Sequence, residues 1–226
     1  MIPRQLAFDL ANPPQPTLDN FVVGANAELV EHLRGITMLR EQERSVYIWG
    51  SDGSGRTHLL RAATAALAAR GLRVSYTDRG ATPPDGAHEV DAAAVDDVEL
   101  LTPEGESAFF RLYNVLRERG GIMLASGNAP PAGLRLRADL VTRLAWGLVY
   151  EVHALSDAEK LRMLTEHAAS LDFDLAPELA DYLFARVPRD MRTLVAMLHT
   201  LDRYSLETKR PVTLSLLREM LKEKNV

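Results

Sequence analysis

Val46-Tyr47-Ile48-Trp49-Gly50-Ser51-Asp52-Gly53-Ser54-Gly55-Arg56-Thr57 is the stretch that decides how this chain folds. Its apolar start predicts a short buried strand, and the glycine-rich segment behind it runs into an alanine- and leucine-rich helix over Thr57 to Arg70, closed by Gly71. Strand, glycine loop and helix in that order are the context of the phosphate loop G-x-x-x-x-G-K-[ST]. Gly50, Gly55 and Thr57 stand at its required positions, and Arg56 replaces the lysine. Glycines let the backbone turn so that successive N–H groups converge on one anion. The N-terminus of the following helix adds partial positive charge. Gly50, Asp52, Gly53, Ser54, Gly55, Arg56, Thr57 and His58 are therefore candidate nucleotide contacts, with the Thr57 hydroxyl a candidate Mg²⁺ ligand. Arg56 can bond β- and γ-oxygens, but it is longer than lysine and planar. Binding survives that exchange more readily than hydrolysis does. A plain glycine-rich turn before a helix is the competing reading, and the agreement of strand, loop and helix weighs against it.

Outward from this loop, apolar runs alternate with helical patterns. A helix is expected over Glu28 to Arg40, with Leu29, Leu33 and Met38 on or near one face. Further strands are expected at Arg73 to Tyr76, Asp91 to Val98, Ile122 to Ala125 and Leu148 to Val152, and a further helix at Glu104 to Arg119. Strands alternating with helices imply βαβ units and a five-stranded parallel sheet flanked by helices. Two strand ends carry chemistry. Ala92-Ala93-Ala94-Val95-Asp96-Asp97 brings carboxylates to the end of a strand, where a phosphate-loop protein holds Mg²⁺, so Asp96 and Asp97 join Thr57 as candidate metal ligands. Taken alone, this segment reads better as a solvated acidic turn; the phosphate loop upstream favours the metal role. Ser126-Gly127-Asn128 ends another strand, and Asn128 is a candidate contact to the terminal phosphate or a simple turn residue.

The pattern changes near Leu155. Ser156-Asp157-Ala158-Glu159 is a capping box, followed by Leu161, Leu164, Ala168 and Leu171 at helical spacing. Pro177 suits the first turn of a second helix, Met191 to Leu201 mark a third, and Thr213 caps a fourth holding Leu217, Met220 and Leu221. The expected organisation is a tail over 1–16, a nucleotide-binding α/β domain over 17–154 and a small helical domain over 155–226.

Composition bounds the rest. The 226 residues are 46% hydrophobic and 25% charged, ordinary globular values, and contain no cysteine, which excludes disulfides, thiolate zinc sites and a cysteine nucleophile. No apolar run is long enough to span a bilayer, and the N-terminus lacks the pattern of a secretory signal, so a cytoplasmic location is expected. A formal net charge of −5 argues against strong direct DNA binding. The histidines show no metal spacing, and no Ser/His/Asp constellation is present.

Taken together these motifs resemble the DnaA-related AAA+ proteins, and among them the Hda type. Thr17-Leu18-Asp19-Asn20-Phe21-Val22-Val23-Gly24 resembles the opening segment bordering the adenine pocket, which adds Phe21 and Val23 to the candidate nucleotide contacts. Gly50 to Leu60 resembles Walker A, Val95 to Glu99 Walker B, and Ser126 to Pro131 sensor I. Leu140 to Leu148 resembles box VII, so the resemblance makes Arg143 an arginine finger; Asp190 to Leu194 resembles sensor II, which assigns Arg192 to the nucleotide's phosphates. Gln5-Leu6-Ala7-Phe8-Asp9-Leu10 resembles the peptide by which Hda proteins dock on the DNA polymerase sliding clamp, with Gln5, Leu6, Phe8 and Leu10 as its contacts. The chain stops after the lid, where the initiator carries a DNA-binding domain. Between the second and third strands it has only Thr77 to Val90, where relatives have a longer segment with a helix; the sheet order is expected to survive.

The resemblance implies a AAA+ fold with a helical lid, bound ADP (or ATP) and Mg²⁺, and no robust turnover by the chain itself. Tethered to the sliding clamp, it would project Arg143 into the ATP site of a neighbouring DnaA, stimulate hydrolysis there and so turn initiation down. Self-association is left open. The rival reading is a stand-alone P-loop ATPase such as a helicase loader, against which Arg56 and Asp97 both count. A small-molecule kinase would need a second substrate pocket, for which no motif is present.

Overall fold

The structure is a computed structural model that describes residues 15–84 and 89–223. They form two compact units, 15–154 and 155–223.

The first unit is built on five parallel strands: β1 (Ser45–Trp49), β2 (Val74–Thr77), β3 (Ala92–Val95), β4 (Ile122–Gly127) and β5 (Leu148–Glu151), in the order β2-β3-β4-β1-β5. The central strands β3 and β4 are buried throughout. That is why they read as unbroken apolar runs: helices cover both faces of a parallel sheet. β5 lies at an edge and alternates between half-buried and exposed residues. One layer, α1 (Ala27–Thr37) and α2 (Arg56–Ala69), packs Leu29, Leu33, Leu59, Ala63 and Leu67 against Val46, Ile48 and Leu124. The opposite layer, α3 (Pro103–Glu118) and α4 (Ala138–Leu144), packs Phe109, Leu112, Leu140 and Leu144 against Tyr47, Val95 and Met123.

Three expectations change. Helix α1 ends at Thr37 rather than near Arg40, because Leu39 takes a left-handed conformation and the Arg40 N–H turns back to the Gly35 carbonyl at 3.0 Å; Met38, expected on the apolar face, is exposed. Strand β3 is shorter than expected, since Asp97 is left-handed (φ 49°) and Val98–Leu100 form a single 3-10 turn. Helix α4 did not show as a periodic pattern; two buried leucines in seven residues make too short a signal. The expected survival of sheet order holds, with β2 at its edge.

Gly147 leads into β5 where the backbones nearly touch: a Cβ there would lie 2.1 Å from the Ser45 carbonyl oxygen. Gly147→Ala is expected to cost about 1–3 kcal/mol through forced displacement of β1 from β5. A lowered urea midpoint with an unchanged slope would show it, and an unchanged midpoint would refute it.

The second unit is four helices, α5 (Asp157–Ser170), α6 (Pro177–Arg186), α7 (Met191–Thr208) and α8 (Leu214–Glu223). Both bonds of the Ser156/Glu159 capping box form, Pro177 opens α6, the Asp190 carboxylate accepts the Thr193 N–H, and the Thr213 hydroxyl accepts the Leu216 N–H. Leu164, Ala168, Leu183, Leu194, Leu198, Leu216 and Met220 fill the core. Leu161, counted with the apolar stripe of α5, is exposed.

Candidate functional site

The glycine loop leaves the C-terminal end of β1 and runs into α2, in the crevice beyond the strand ends where α/β sheets take ligands. Gly53 (φ 77°) and Gly55 (φ 104°) are left-handed, and a Cβ on Gly55 would lie 2.7 Å from the Phe21 ring. A Cβ on Gly50 would lie 2.5 Å from the Val152 carbonyl oxygen. The first N–H groups of α2 have no partner within the helix and face the loop. Ser54 is buried with a hydroxyl that has no hydrogen-bond partner among the described residues. The opening segment covers this loop from one side. Phe21 packs on Gly55, His58 lies 5.5 Å from the Phe21 ring with Nε2 2.9 Å from the Thr17 carbonyl oxygen, and Val23 is half-buried against the same core.

The carboxylates part company. Asp96 accepts three hydroxyls: Thr57 Oγ1 at 2.7 Å, Tyr76 OH at 2.8 Å and the fully buried Ser126 Oγ. Asp97, one residue on, faces two guanidiniums instead. Arg56 lies 3.1 Å from Oδ1, and Arg79 Nε lies 2.9 Å from Oδ2. Of the expected metal ligands, the structure thus brings Thr57 and Asp96 together and turns Asp97 to the arginines. Burial pushes the Asp97 carboxyl up; Arg56 pulls it back and the neighbouring Asp96 charge raises it further. Burial likewise raises Glu99, whose Oε2 has no hydrogen-bond partner among the described residues.

Arg56 is almost wholly buried, at 6% exposure. Its guanidinium donates to the Gly127 carbonyl and to Asp52 Oδ1 at 3.2 Å, besides the pairing with Asp97. The loop's cation is therefore held across the strand ends, next to Asn128, which is exposed just beyond β4. Arg192 is exposed in the first turn of α7, in the second unit.

Arg143 belongs to a different surface. It ends α4 with its guanidinium 4.3 Å from the Phe110 ring centre and 4.7 Å from that of Trp146, while Nε donates to Asn114 Oδ1 at 3.1 Å. Trp146 is 48% exposed and also stacks with Arg117. Arg143 lines a small cavity with Ser45, Val46 and Tyr47, the N-terminal half of β1. The phosphate loop leaves the other end of that strand, roughly 13 Å away at about 3.3 Å per residue. Asp139 is taken by Arg137, at 2.8 Å.

The residues at the loop fit a phosphate chain with a divalent cation. Gly50 and Gly55 leave no room for a Cβ, Ser54 offers an unused hydroxyl, and Thr57 and Asp96 set a hydroxyl beside a carboxylate. Magnesium is commonly held by such a small protein set completed by phosphate oxygens and water. Among the described residues no group of three or more His, Asp or Glu side chains could hold a metal by itself. Tyr76, Ser126 and Arg79 complete the acidic end of the site and were not expected as contacts. Their signal lies in strand order rather than in spacing. Residues Gln5, Leu6, Phe8 and Leu10 lie outside the described residues. No described helix is long and apolar enough to cross a membrane.

Comparisons with known proteins bear on the fold and on the helical second unit. Residues 157–221 match the family model described as "Hda, lid domain". Domain III of the replication initiation protein DnaA from Thermotoga maritima is similar in fold, with a TM-score of 0.72 and 21% identity, over 93% of this chain and 97% of that one. AMPPCP-bound DnaA from Aquifex aeolicus matches with a TM-score of 0.68 and 24% identity, over 94% of this chain and 70% of that one. A DNA replication initiation factor matches with a TM-score of 0.66 and 25% identity, over 87% and 68%.

Proposed function

From a chain of the Hda type, with a AAA+ core of the DnaA fold and an Hda lid at 157–221, we propose a protein that binds an adenine nucleotide at Gly50–Thr57 and acts in trans on a nucleotide held by a DnaA neighbour. The observation that carries this reading is the separation of its two chemical parts. The phosphate cradle and its acids sit at the C-terminal end of β1, whereas Arg143 lines a small cavity with residues at the N-terminal end of that strand. A guanidinium at that end of the strand is remote from its own phosphate loop, so the nucleotide it would serve is one held by a second molecule. Stabilising charge on a transferring phosphoryl group is what such a finger does.

The chain's own site is read as a holder of ADP with Mg²⁺ at Thr57 and Asp96, with Asn128 as a further phosphate contact. The cation, when bound, would neutralise phosphate charge; Thr57 and Asp96 would hold it, and Phe21 and Val23 would border the base. Arg56 and Asp97 engage one another, which disfavours brisk turnover by the chain itself. The resting place of the protein is taken to be the cytoplasm, with Gln5, Leu6, Phe8 and Leu10 docking on the sliding clamp.

The test is reconstitution with ADP, clamp loaded on DNA, and DnaA carrying ATP, following phosphate release. Accelerated release that depends on all components is expected; no acceleration sinks the reading. Deleting residues 1–10 is expected to abolish clamp pull-down and leave the ADP affinity unchanged. Pull-down that survives the deletion would remove the tether from the mechanism. The helicase-loader reading predicts the reverse pattern, steady ATP turnover by the isolated chain.

A further inference from the structure

The loop's cation is contested. Arg56 is the basic side chain of the Gly50–Thr57 loop, and in the structure it is spent on the Gly127 carbonyl, on Asp52 and on Asp97. A phosphate chain must win it from those partners. Asp52 is 88% exposed, so water and salt weaken its pull. Asp97 is 8% exposed and lies beside Asp96, so its pull on Arg56, and its repulsion of an incoming phosphate, are screened less than those of Asp52.

Arg79 answers that charge from outside the loop. Its Nε meets Asp97 Oδ2 at 2.9 Å, opposite the oxygen that faces Arg56 at 3.1 Å as an ion pair without a hydrogen bond. It is presented by a β-turn in which the Ala81 N–H returns to the Asp78 carbonyl at 2.9 Å and Gly80 supplies the left-handed residue (φ 70°). Asp78 is itself pinned by Arg61 at 2.6 Å. We propose that Arg79 is a positioning residue for the nucleotide: by sharing the charge of Asp97 it loosens that carboxylate's hold on Arg56 and lets Arg56 turn to the phosphates. Arg79 need not touch the ligand. Its effect passes through Asp97, and this distinguishes it from a direct phosphate contact. The inference rests on the reading of Gly50–Thr57 as a nucleotide site.

A thermodynamic cycle tests it, with a fluorescent ADP analogue as probe and Mg²⁺ supplied. Arg79→Ala is expected to weaken binding about tenfold, a moderate value for a close charge pair with one exposed member. Arg79→Lys should restore part of the loss, since a point charge suffices there. Asp97→Asn removes the competitor, so it should bind ADP at least as tightly as the unaltered chain. In that background Arg79→Ala should cost nothing. A loss that persists undiminished beside Asp97→Asn, or an Arg79→Ala chain with unaltered affinity, overturns the inference while the nucleotide-site reading stands. An unaltered chain that takes up no ADP overturns both. Melting of the nucleotide-free variants separates the proposal from a merely structural role: Arg79 is 63% exposed, and a fall in stability that by itself accounted for the weakened binding would overturn it.

Discussion

Arg143→Ala is expected to reduce the stimulation of DnaA-bound ATP hydrolysis by on the order of a thousandfold, back to the partner's unaided rate, the scale that arginine fingers reach in other nucleotide hydrolases. The ADP affinity of the variant itself should stay within about twofold, because Arg143 shares its cavity with Ser45, Val46 and Tyr47, at the far end of β1 from the phosphate loop. Its surroundings sharpen the prediction. The planar group lies close to both the Phe110 and Trp146 rings and donates to Asn114. Lysine can neither stack as a plane nor donate in a fork, so Arg143→Lys should rescue little. Arg137, a second arginine six residues before Arg143, is engaged with Asp139 and Ser107 and its N–H with Glu106. Arg137→Ala is therefore expected to leave most of the stimulation in place. Phosphate release in the reconstituted mixture decides between them: full stimulation by Arg143→Ala, or its loss in Arg137→Ala alone, would move the finger or remove it.

What could be read from the sequence was what is local. The phosphate loop is contiguous, so its strand, glycines and helix start lie within a dozen residues and carry their own context. Parallel β1 and β4 are covered on both faces and appear as apolar runs. The Ser156 box, Pro177 and Thr213 each act within one helical turn and were legible for that reason. The acidic end of the site was legible only in part, because it is assembled by sheet order. Tyr76 and Ser126 reach Asp96 from strands on either side of β3, through registers that pair Tyr76 with Ala94 and Ala94 with Leu124. No spacing along the chain encodes which strands are neighbours. The division of labour between Asp96 and Asp97 was hidden for another reason. It depends on Asp97 turning left-handed, a conformation that aspartate adopts in some contexts and that adjacent identical residues cannot announce. Helix α4 escaped because seven residues hold too few turns for a period, although it carries Arg143.

Asp96→Ala is expected to be the most damaging change at the acidic end, and Asp96→Asn separates its two roles. The carboxylate is buried and is the acceptor for Thr57, Tyr76 and Ser126. Alanine leaves those hydroxyls without their acceptor. Thr57 is exposed and water can replace the bond, but Ser126 is fully buried and Tyr76 half-buried. An orphaned buried group costs about 1–3 kcal/mol, so a loss of about 2–4 kcal/mol is expected for the two together. Removing the charge also relieves repulsion with Asp97, which acts in the opposite direction; the unmet hydroxyls prevail because the Asp97 charge remains balanced by Arg56 and Arg79. Asparagine keeps the shape and one accepting oxygen, so its unfolding midpoint in urea should fall much less. What it lacks is the anionic oxygen beside Thr57, and the gain in ADP affinity on adding Mg²⁺ should vanish with it. An asparagine variant that keeps the whole Mg²⁺-dependent gain would show that the cation is held elsewhere, and an alanine variant as stable as the parent would show that the three hydroxyls find other acceptors.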